Sequence, residues 1–300
     1  MKQSRYFLYL YALLILSSPL YSQDESPIHN KGKVKNYLPH MTWQEVEEAL
    51  KRTDMILIPL GSVEQHGKHL PLGTDIYAAI KTAQLIAQKT DVIVAPVGLL
   101  GYADYHMGFP GTMTLSPGTF ESVLFEGVQS LIRHGFKNFF IYNGHGGNTT
   151  AINNVIHQIN HTTKATAVSL NGIQLPPSET GPEIQLDWHA GVDETSKMLY
   201  LTPSLVDMSK AEKPTLSFPP ATQKAIFTMP SVKDIETYVQ TVTFLPIKTG
   251  KKASTREMTN NGVITTGDPK DATLEKGRKE VERFIDAAVR FIEAWKKTEQ

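Results

Sequence analysis

Residues 55–75 read MILIPLGSVEQHGKHLPLGTD, a short apolar run followed by a polar loop. The apolar run ends at a glycine and predicts a short, buried strand. In the loop, Glu64 and His66 are two residues apart, so their side chains share a face if the segment is extended. Asp75 begins the next predicted helix, where the helix dipole stabilises its carboxylate. Because open α/β sheets bind ligands at the carboxyl ends of their strands, this stretch predicts a fold and the edge that carries its site.

Short strands alternate with helices along the chain on both sides of this stretch. The predicted strands span residues 55–60, 92–97, 139–142 and 166–170, and the predicted helices span residues 43–51, 75–89, 119–134, 148–160, 194–201 and 274–297. This alternation favours an α/β fold in which helices cover both faces of a mostly parallel central sheet.

The composition is typical of a soluble, globular protein and limits which catalytic and metal-binding groups are available. Hydrophobic residues make up 40% of the chain and charged residues 20%, which allows a sizeable core. The 30 basic and 30 acidic residues cancel, so no electrostatic field indicates nucleic acid or an anionic membrane as a partner. Cysteine is absent, which excludes disulfides, a thiol nucleophile and thiolate metal sites. Histidine, aspartate and glutamate remain as metal ligands.

The amino terminus has the pattern of a secretory signal peptide, which we assign to residues 1–22. Lys2 and Arg5 give a basic start, an almost unbroken apolar run follows, and Ser22 is a small residue at a suitable cleavage point. The apolar run is short for a membrane span, and the alternatives are an uncleaved anchor or a buried first helix. We therefore expect an exported protein, periplasmic or secreted, with no membrane contact after cleavage.

Three boundaries complete the expected organisation. Residues 23–38 are polar and contain a proline and a glycine, which predicts a flexible lead-in. Residues 39–300 are expected to form one domain. Within it, residues 203–262 are irregular because several prolines interrupt any long element. We interpret this segment as an insertion that shapes the mouth of the site or an oligomer contact.

Two further polar segments follow predicted strands or precede a helix. In residues 143–148, three glycines surround His145 and let it project into a crowded site. Residues 187–196 place His189 and Glu194 at the mouth of a helix. Such clusters suit a divalent ion with nitrogen and oxygen ligands. For any single residue, a solvated or hydrogen-bonded side chain is the alternative, and spacing alone leaves both interpretations open.

Five segments resemble the creatininase (creatinine amidohydrolase) family, and they occur in the family's order. They are residues 59–75, 108–112, 143–148, 189–196, and 267–269 with 275–277. The resemblance spans roughly residues 40–280 and implies a three-layer creatininase-like metal-hydrolase domain. It also implies a site for two divalent ions and a homo-oligomer, commonly a hexamer.

The resemblance also implies a metal-ligand set. By position, Glu64 and His145 hold one ion, His66 holds the other, and Asp75 bridges them. The expected ions are zinc, with manganese or iron as alternatives.

One position departs from the pattern of creatininase itself. Creatininase has a glutamate two residues after the histidine of the third-strand loop, whereas this chain has Gly147. In members with the glycine, the acid of the His-Ala-Gly segment takes this role, which points to Glu194. His189 matches the histidine used for proton transfer and is the candidate general acid/base. The alternative is a histidine that only orients water.

The resemblance therefore implies a metal-dependent amidohydrolase that cleaves a C–N bond of a cyclic amide or formamide-like small molecule. Creatininase encloses its substrate with tryptophans, but only Trp188 lies near these segments, which argues against creatinine itself. Asp104, Tyr105 and His106 either touch the substrate or belong to a packed loop. The alternative from another class is a secreted, non-catalytic metal- or ligand-binding protein on the same scaffold.

Overall fold

The computed structural model describes residues 32–298, except residues 97, 99, 179–185, 219, 232–233, 236 and 240–253. The predicted signal peptide, residues 1–22, and the first part of the predicted lead-in lie outside the described residues. In the described part of the lead-in, Tyr37 is buried and pairs with Val94 as an isolated parallel bridge. No helix among the described residues is long and apolar enough to span a membrane.

A parallel sheet forms the centre of the domain, as the sequence predicts. Its strands are β1 (Met55–Leu60), β2 (Ile93–Val94), β3 (Asn138–Asn143) and β4 (Thr166–Ser169). Their order is β2-β1-β3-β4, and every pairing is parallel. All six residues of β1 are buried because both faces of this inner strand are covered.

Helices cover both faces of the sheet. The α-helices of the described residues include α1 (Trp43–Leu50), α2 (Thr74–Lys89), α3 (Pro117–Arg133), α4 (Thr149–Thr162), α5 (Val192–Leu201), α6 (Pro220–Thr228) and α7 (Leu274–Thr298), of which α6 contributes Ile226 to a separate apolar cluster and not to the core of this sheet. Thr42 caps α1 and forms a capping box with Glu45, as predicted. The α/β class and the three layers are therefore confirmed.

The alternation of side chains along β1 divides the core in two. Ile56 and Ile58 pack with α3 and α4, whereas Leu57 packs with α2 and α7 on the opposite face. Burying each such aliphatic side chain stabilises the fold by about 1.5–3 kcal/mol. The predicted apolar stripe of α7 contributes Trp295, whose ring lies 5.6 Å from that of Phe140.

A second, two-stranded sheet was not predicted. β5 (Asp187–His189) pairs antiparallel with β6 (Ile264–Thr265). A small apolar cluster packs beside it and includes residues of the irregular segment. Its buried members are Leu186, Phe218, Ile226, Ile235, Val239, Met258 and Ile264. The described part of residues 203–262 therefore packs against the strand that carries His189.

Candidate metal centre

The six predicted site residues meet where the carboxyl end of the parallel sheet faces β5. Five of them line a cavity of about 150 Å³, and His66 is fully buried beside it. Glu64 and His66 lie on the loop after β1, and His145 lies on the loop after β3. Asp75 lies on α2, His189 lies on β5 and Glu194 lies on α5. Residues far apart in sequence thus converge at one edge, as the sequence predicts.

Two glycines allow this convergence. A Cβ at Gly61 would lie 2.7 Å from the backbone nitrogen of Ile76, and a Cβ at Gly144 would lie 2.7 Å from the carbonyl of Asp75. The loops after β1 and β3 therefore press against the first turn of α2. This contact places Asp75 between the two loops that carry the other candidate ligands.

The first candidate ligand group consists of Glu64, Asp75 and His145, whose ligand atoms lie within 4.8 Å of one another. His145 Nδ1 is 3.2 Å from Glu64 Oε2 and 3.2 Å from Asp75 Oδ2. The other ring nitrogen, Nε2, donates to the carbonyl of Tyr102 at 2.9 Å. Because that bond holds the proton on Nε2, the Nδ1 lone pair faces the carboxylates, as in a histidine ligand.

The second group consists of His66, Asp75 and Glu194. His66 Nε2 is 3.1 Å from Asp75 Oδ1 and 3.8 Å from Glu194 Oε2. His66 Nδ1 donates to the backbone carbonyl of Glu64 at 3.1 Å, which again turns a lone pair towards the carboxylates. Asp75 thus directs one oxygen to each group, which is the geometry expected of a bridging ligand.

The donors in this cluster fit a divalent cation. Glu64 Oε2 and Asp75 Oδ2 are buried, and the basic group beside both of them is the His145 imidazole, 3.2 Å from each. Burying an uncompensated carboxylate is costly, so a proton or a cation must neutralise it. Imidazole nitrogens and carboxylate oxygens together are the ligands of zinc and of related divalent metals.

The pKa shifts in the metal-free chain show how strongly the cluster attracts positive charge. Burial opposes charge on His66, but the carboxylates of Asp75 and Glu194 outweigh it and raise its pKa to about 10. The pKa of His145 is raised well above its usual range because Glu64 and Asp75 outweigh burial. Burial raises the pKa of the Glu194 carboxyl to about 7. Protons and a divalent cation would therefore compete for these groups.

His189 lies beside both groups with a fixed tautomer. Its Nε2 donates to the backbone carbonyl of Gln65 at 2.6 Å, and its Nδ1 is 3.7 Å from Glu64 Oε1. Burial, followed by the nearby His66, lowers the pKa of His189 well below its usual range. The ring is therefore neutral, and Nδ1 is available as a base. Because Glu64, His66 and His189 also form a potential ligand group, the geometry permits a ligand role as well.

Steric crowding explains why position 147 is a glycine. A Cβ there would lie 2.6 Å from the Tyr105 hydroxyl and would also meet the carbonyl of Tyr102. The Tyr105 hydroxyl is itself 3.2 Å from His145 Nε2. The groups that orient His145 thus fill the space of a side chain at 147, and Glu194 reaches the cluster from α5.

Sequence reasoning left two residues of the site undecided and missed a third. Tyr105 and His106 are buried and line the cavity, although the sequence did not separate substrate contact from loop packing. Their signal was the position just before the Gly-Phe-Pro-Gly-Thr turn. Thr255 was not singled out at all, yet its hydroxyl oxygen lies 2.6 Å from His106 Nδ1. That contact joins residues 149 positions apart, which no local pattern reveals.

Comparisons with known proteins agree with this geometry. A family model described as creatininase, creatinine amidohydrolase, matches residues 39–292. Creatinine amidohydrolase of Pseudomonas putida is 28% identical over 61% of this chain and 79% of that protein. A 3-dehydro-scyllo-inosose hydrolase of Thermotoga maritima is 32% identical over 57% of each chain. A mycofactocin precursor peptide peptidase of Mycolicibacterium smegmatis is 34% identical over 50% of this chain and 58% of that protein.

Solved structures share the fold. A tryptophan-to-alanine mutant creatininase superposes with a TM-score of 0.65 at 23% identity, and the match covers 86% of this chain and 97% of that one. Other similar structures are described as a Zn–Zn type of a mutant creatininase and as a manganese creatininase. These likenesses show the fold, and the donor set of this chain supports divalent metal binding.

Proposed function

This chain belongs to the creatininase family, and from that premise we propose that it is a metal-dependent amidohydrolase that cleaves a C–N bond in a cyclic amide or formamide-like small molecule. The observation that carries the proposal is the pair of ligand groups joined at Asp75, at one end of a small cavity. Such a buried, charged cluster is costly to maintain unless it has a function.

We propose that two divalent ions occupy these groups, zinc first, with manganese or iron as alternatives. Glu64 and His145 would hold one ion, His66 and Glu194 the other, and Asp75 both. The distances of 3.1 and 3.2 Å from the two Asp75 oxygens to separate imidazoles support this assignment. When bound, such ions polarise a carbonyl and lower the pKa of water towards neutrality.

The proposed role of His189 is proton transfer. His189 lines the cavity, and its Nδ1 is left as an acceptor because Nε2 donates to the carbonyl of Gln65. A neutral, positioned imidazole can take a proton at Nδ1 and give it to the leaving nitrogen. Tyr105 and Trp188 line the same cavity.

The size and walls of the cavity support a small substrate. A volume of about 150 Å³ suits a compact molecule or the reacting end of a longer one. Trp188 is the one tryptophan of three at the cavity, since Trp43 is exposed on α1 and Trp295 packs on α7. Because creatininase encloses its substrate with several tryptophans, a cyclic amide other than creatinine is favoured.

The test is a hydrolysis screen of the mature chain loaded with zinc or manganese. The panel contains creatinine, other small lactams and cyclic imides, N-formyl compounds and a short peptide, and released amine or carboxylate is measured. We expect turnover of at least one cyclic amide or formamide, abolished by chelation and restored by metal. Glu64→Gln serves as the inactive control. Binding of a panel compound without turnover by any metal form would instead identify a non-catalytic binding protein.

A further inference from the structure

A fourth buried histidine, His106, lies in the site without a role in the proposed function. It is 1% exposed, lines the cavity, and places Nε2 3.5 Å from Glu64 Oε1. The other imidazoles of the site are each held by a backbone carbonyl. His106 is held instead by a side chain from the irregular segment, residues 203–262.

Thr255 is that side chain. Its hydroxyl donates to the carbonyl of Tyr105 at 3.1 Å, and its oxygen lies 2.6 Å from His106 Nδ1. Because the one hydroxyl hydrogen is already used, the oxygen accepts from Nδ1–H. The Gln65 amide is farther from Nδ1, at 3.3 Å, and donates to the carbonyl of Gly262 at 2.9 Å. The His106 ring is therefore held at its Nδ1 side.

The face of the His106 ring packs against His189. The ring centroids are 4.2 Å apart with an angle of 26° between the planes. The ring of His66 also contacts His189, at 4.4 Å and 37°. The hydrogen bond to Gln65 alone would let the His189 ring turn about that bond, which would redirect Nδ1. Ring contacts remove this freedom.

We propose that His106 is a positioning residue that sets the plane of the His189 ring, and that Thr255 holds His106 in place. This inference rests on the proposed function only for the chemical role of His189. The packing itself is independent of that role. The proposal also gives the end of the irregular segment a function, because Thr255 holds the histidine that positions His189.

The test compares His106→Ala with His106→Phe, because phenylalanine keeps a ring against His189 but has no nitrogen. We expect His106→Ala to lower kcat about 10- to 100-fold, since small misplacements of a catalytic group have effects of this size. KM and zinc content stay near wild type, and His106→Phe recovers most of the lost kcat. His157→Ala, on the exposed side of α4, is the matched control and leaves kcat unchanged.

Crystal structures of the zinc-loaded variants give a readout that needs no substrate. We expect the His189 ring to turn in His106→Ala and to keep its plane in His106→Phe. If no compound of the hydrolysis panel is turned over, the proposed function fails. The crystal structures would still show whether His106 sets the plane of the His189 ring.

Three results would overturn the proposal. Equal losses of kcat in the two His106 variants would show that the ring contact does not position His189. A fall in zinc content that parallels kcat would show that His106 acts on the ligands. If His106→Ala leaves both kcat and the plane of the His189 ring unchanged, His106 does not position His189. Should His106→Ala not fold, Thr255→Val replaces it, with Thr255→Ser expected to restore kcat.

Discussion

Each histidine of the proposed ligand set is oriented by one main-chain carbonyl. His66 uses the carbonyl of Glu64, and His145 uses that of Tyr102. His189 is held in the same way by Gln65, and its free nitrogen lies 3.7 Å from Glu64 Oε1, farther from a carboxylate than those of His66 and His145. The proposed ligand role of His66 and His145 and the proposed proton transfer by His189 therefore differ in how closely each free nitrogen approaches a carboxylate.

This difference predicts opposite behaviour for two variants. His189→Ala should keep the metal content and lower kcat by about 10² to 10⁴-fold, the range for losing a positioned acid/base. Glu194→Gln should weaken binding of one ion first, because Glu194 belongs to only one ligand group. Elemental analysis and kinetics of both proteins provide the check. If His189→Ala loses metal as readily as Glu194→Gln, His189 is a ligand.

The raised pKa values predict how the metal-free protein responds to pH. His66 has a pKa raised to about 10, so the stability it contributes is complete below about pH 6.5 and is lost as the pH rises towards 10. The Glu194 pKa of about 7 acts in the same direction at lower pH, because its neutral form is favoured in the fold and this contribution is lost between about pH 4.5 and pH 7. We expect the free energy of unfolding of the metal-free protein to fall between pH 7 and pH 9.

Urea unfolding with and without zinc measures this dependence. Bound zinc should reduce the change of the unfolding free energy with pH, because the cation replaces the protons. Asp75 has a lowered pKa despite burial, owing to His66, so its own contribution is lost only in acid. A metal-free protein that gains stability from pH 7 to pH 9 would contradict the assignment of His66 to a carboxylate-rich cluster.

At the scale of elements, the site depends on how closely two loops approach α2. Gly61→Ala should destabilise the fold by about 1–3 kcal/mol or more, because its Cβ would lie 2.7 Å from a backbone atom of α2. Gly127→Ala is the control, since a Cβ there meets nothing within 4 Å inside α3. In a helix that change should stabilise by up to about 1 kcal/mol. Urea unfolding of both variants tests the difference, and equal effects would refute the close approach.

Local pattern predicted the elements that form the core. The apolar run of β1 and the stripe of α2 appear in the structure close to their predicted bounds, because buried strands and amphipathic helices have short sequence periods. Pairing between distant segments had no such signal. β5 and β6 lie some 75 residues apart, roughly a quarter of the chain, and their pairing was missed. The contact of Thr255 with His106 was missed for the same reason.

At the scale of the whole molecule, one cavity is assembled from most of the chain. Glu64 and Glu194 line it together although they are far apart in sequence, and Thr255 supports it from the irregular segment. We propose that the mature protein is an exported homo-oligomer of this single domain, with six chains as in the family resemblance. Because cysteine is absent, its stability outside the cytoplasm must come from packing and bound metal.

Export makes a simple prediction about the mature chain. We expect the amino terminus to lie near Gln23, after Ser22, in protein recovered from outside the cytoplasm. Intact-mass analysis of protein from the periplasm or the medium reads this terminus directly. A soluble cytoplasmic protein that retains Met1 would contradict the assignment of the signal peptide.

The central claim is that two divalent ions share Asp75, and metal content per chain tests it most directly. Elemental analysis of the purified mature protein should give two ions per chain, and Asp75→Asn should lose most of both, because this residue faces both imidazole ligands. Lys81→Ala, a change on α2 away from the ligand groups, serves as the control and should keep both ions. Two ions per chain in both variants, or no bound metal in the wild-type protein after loading, would contradict the account.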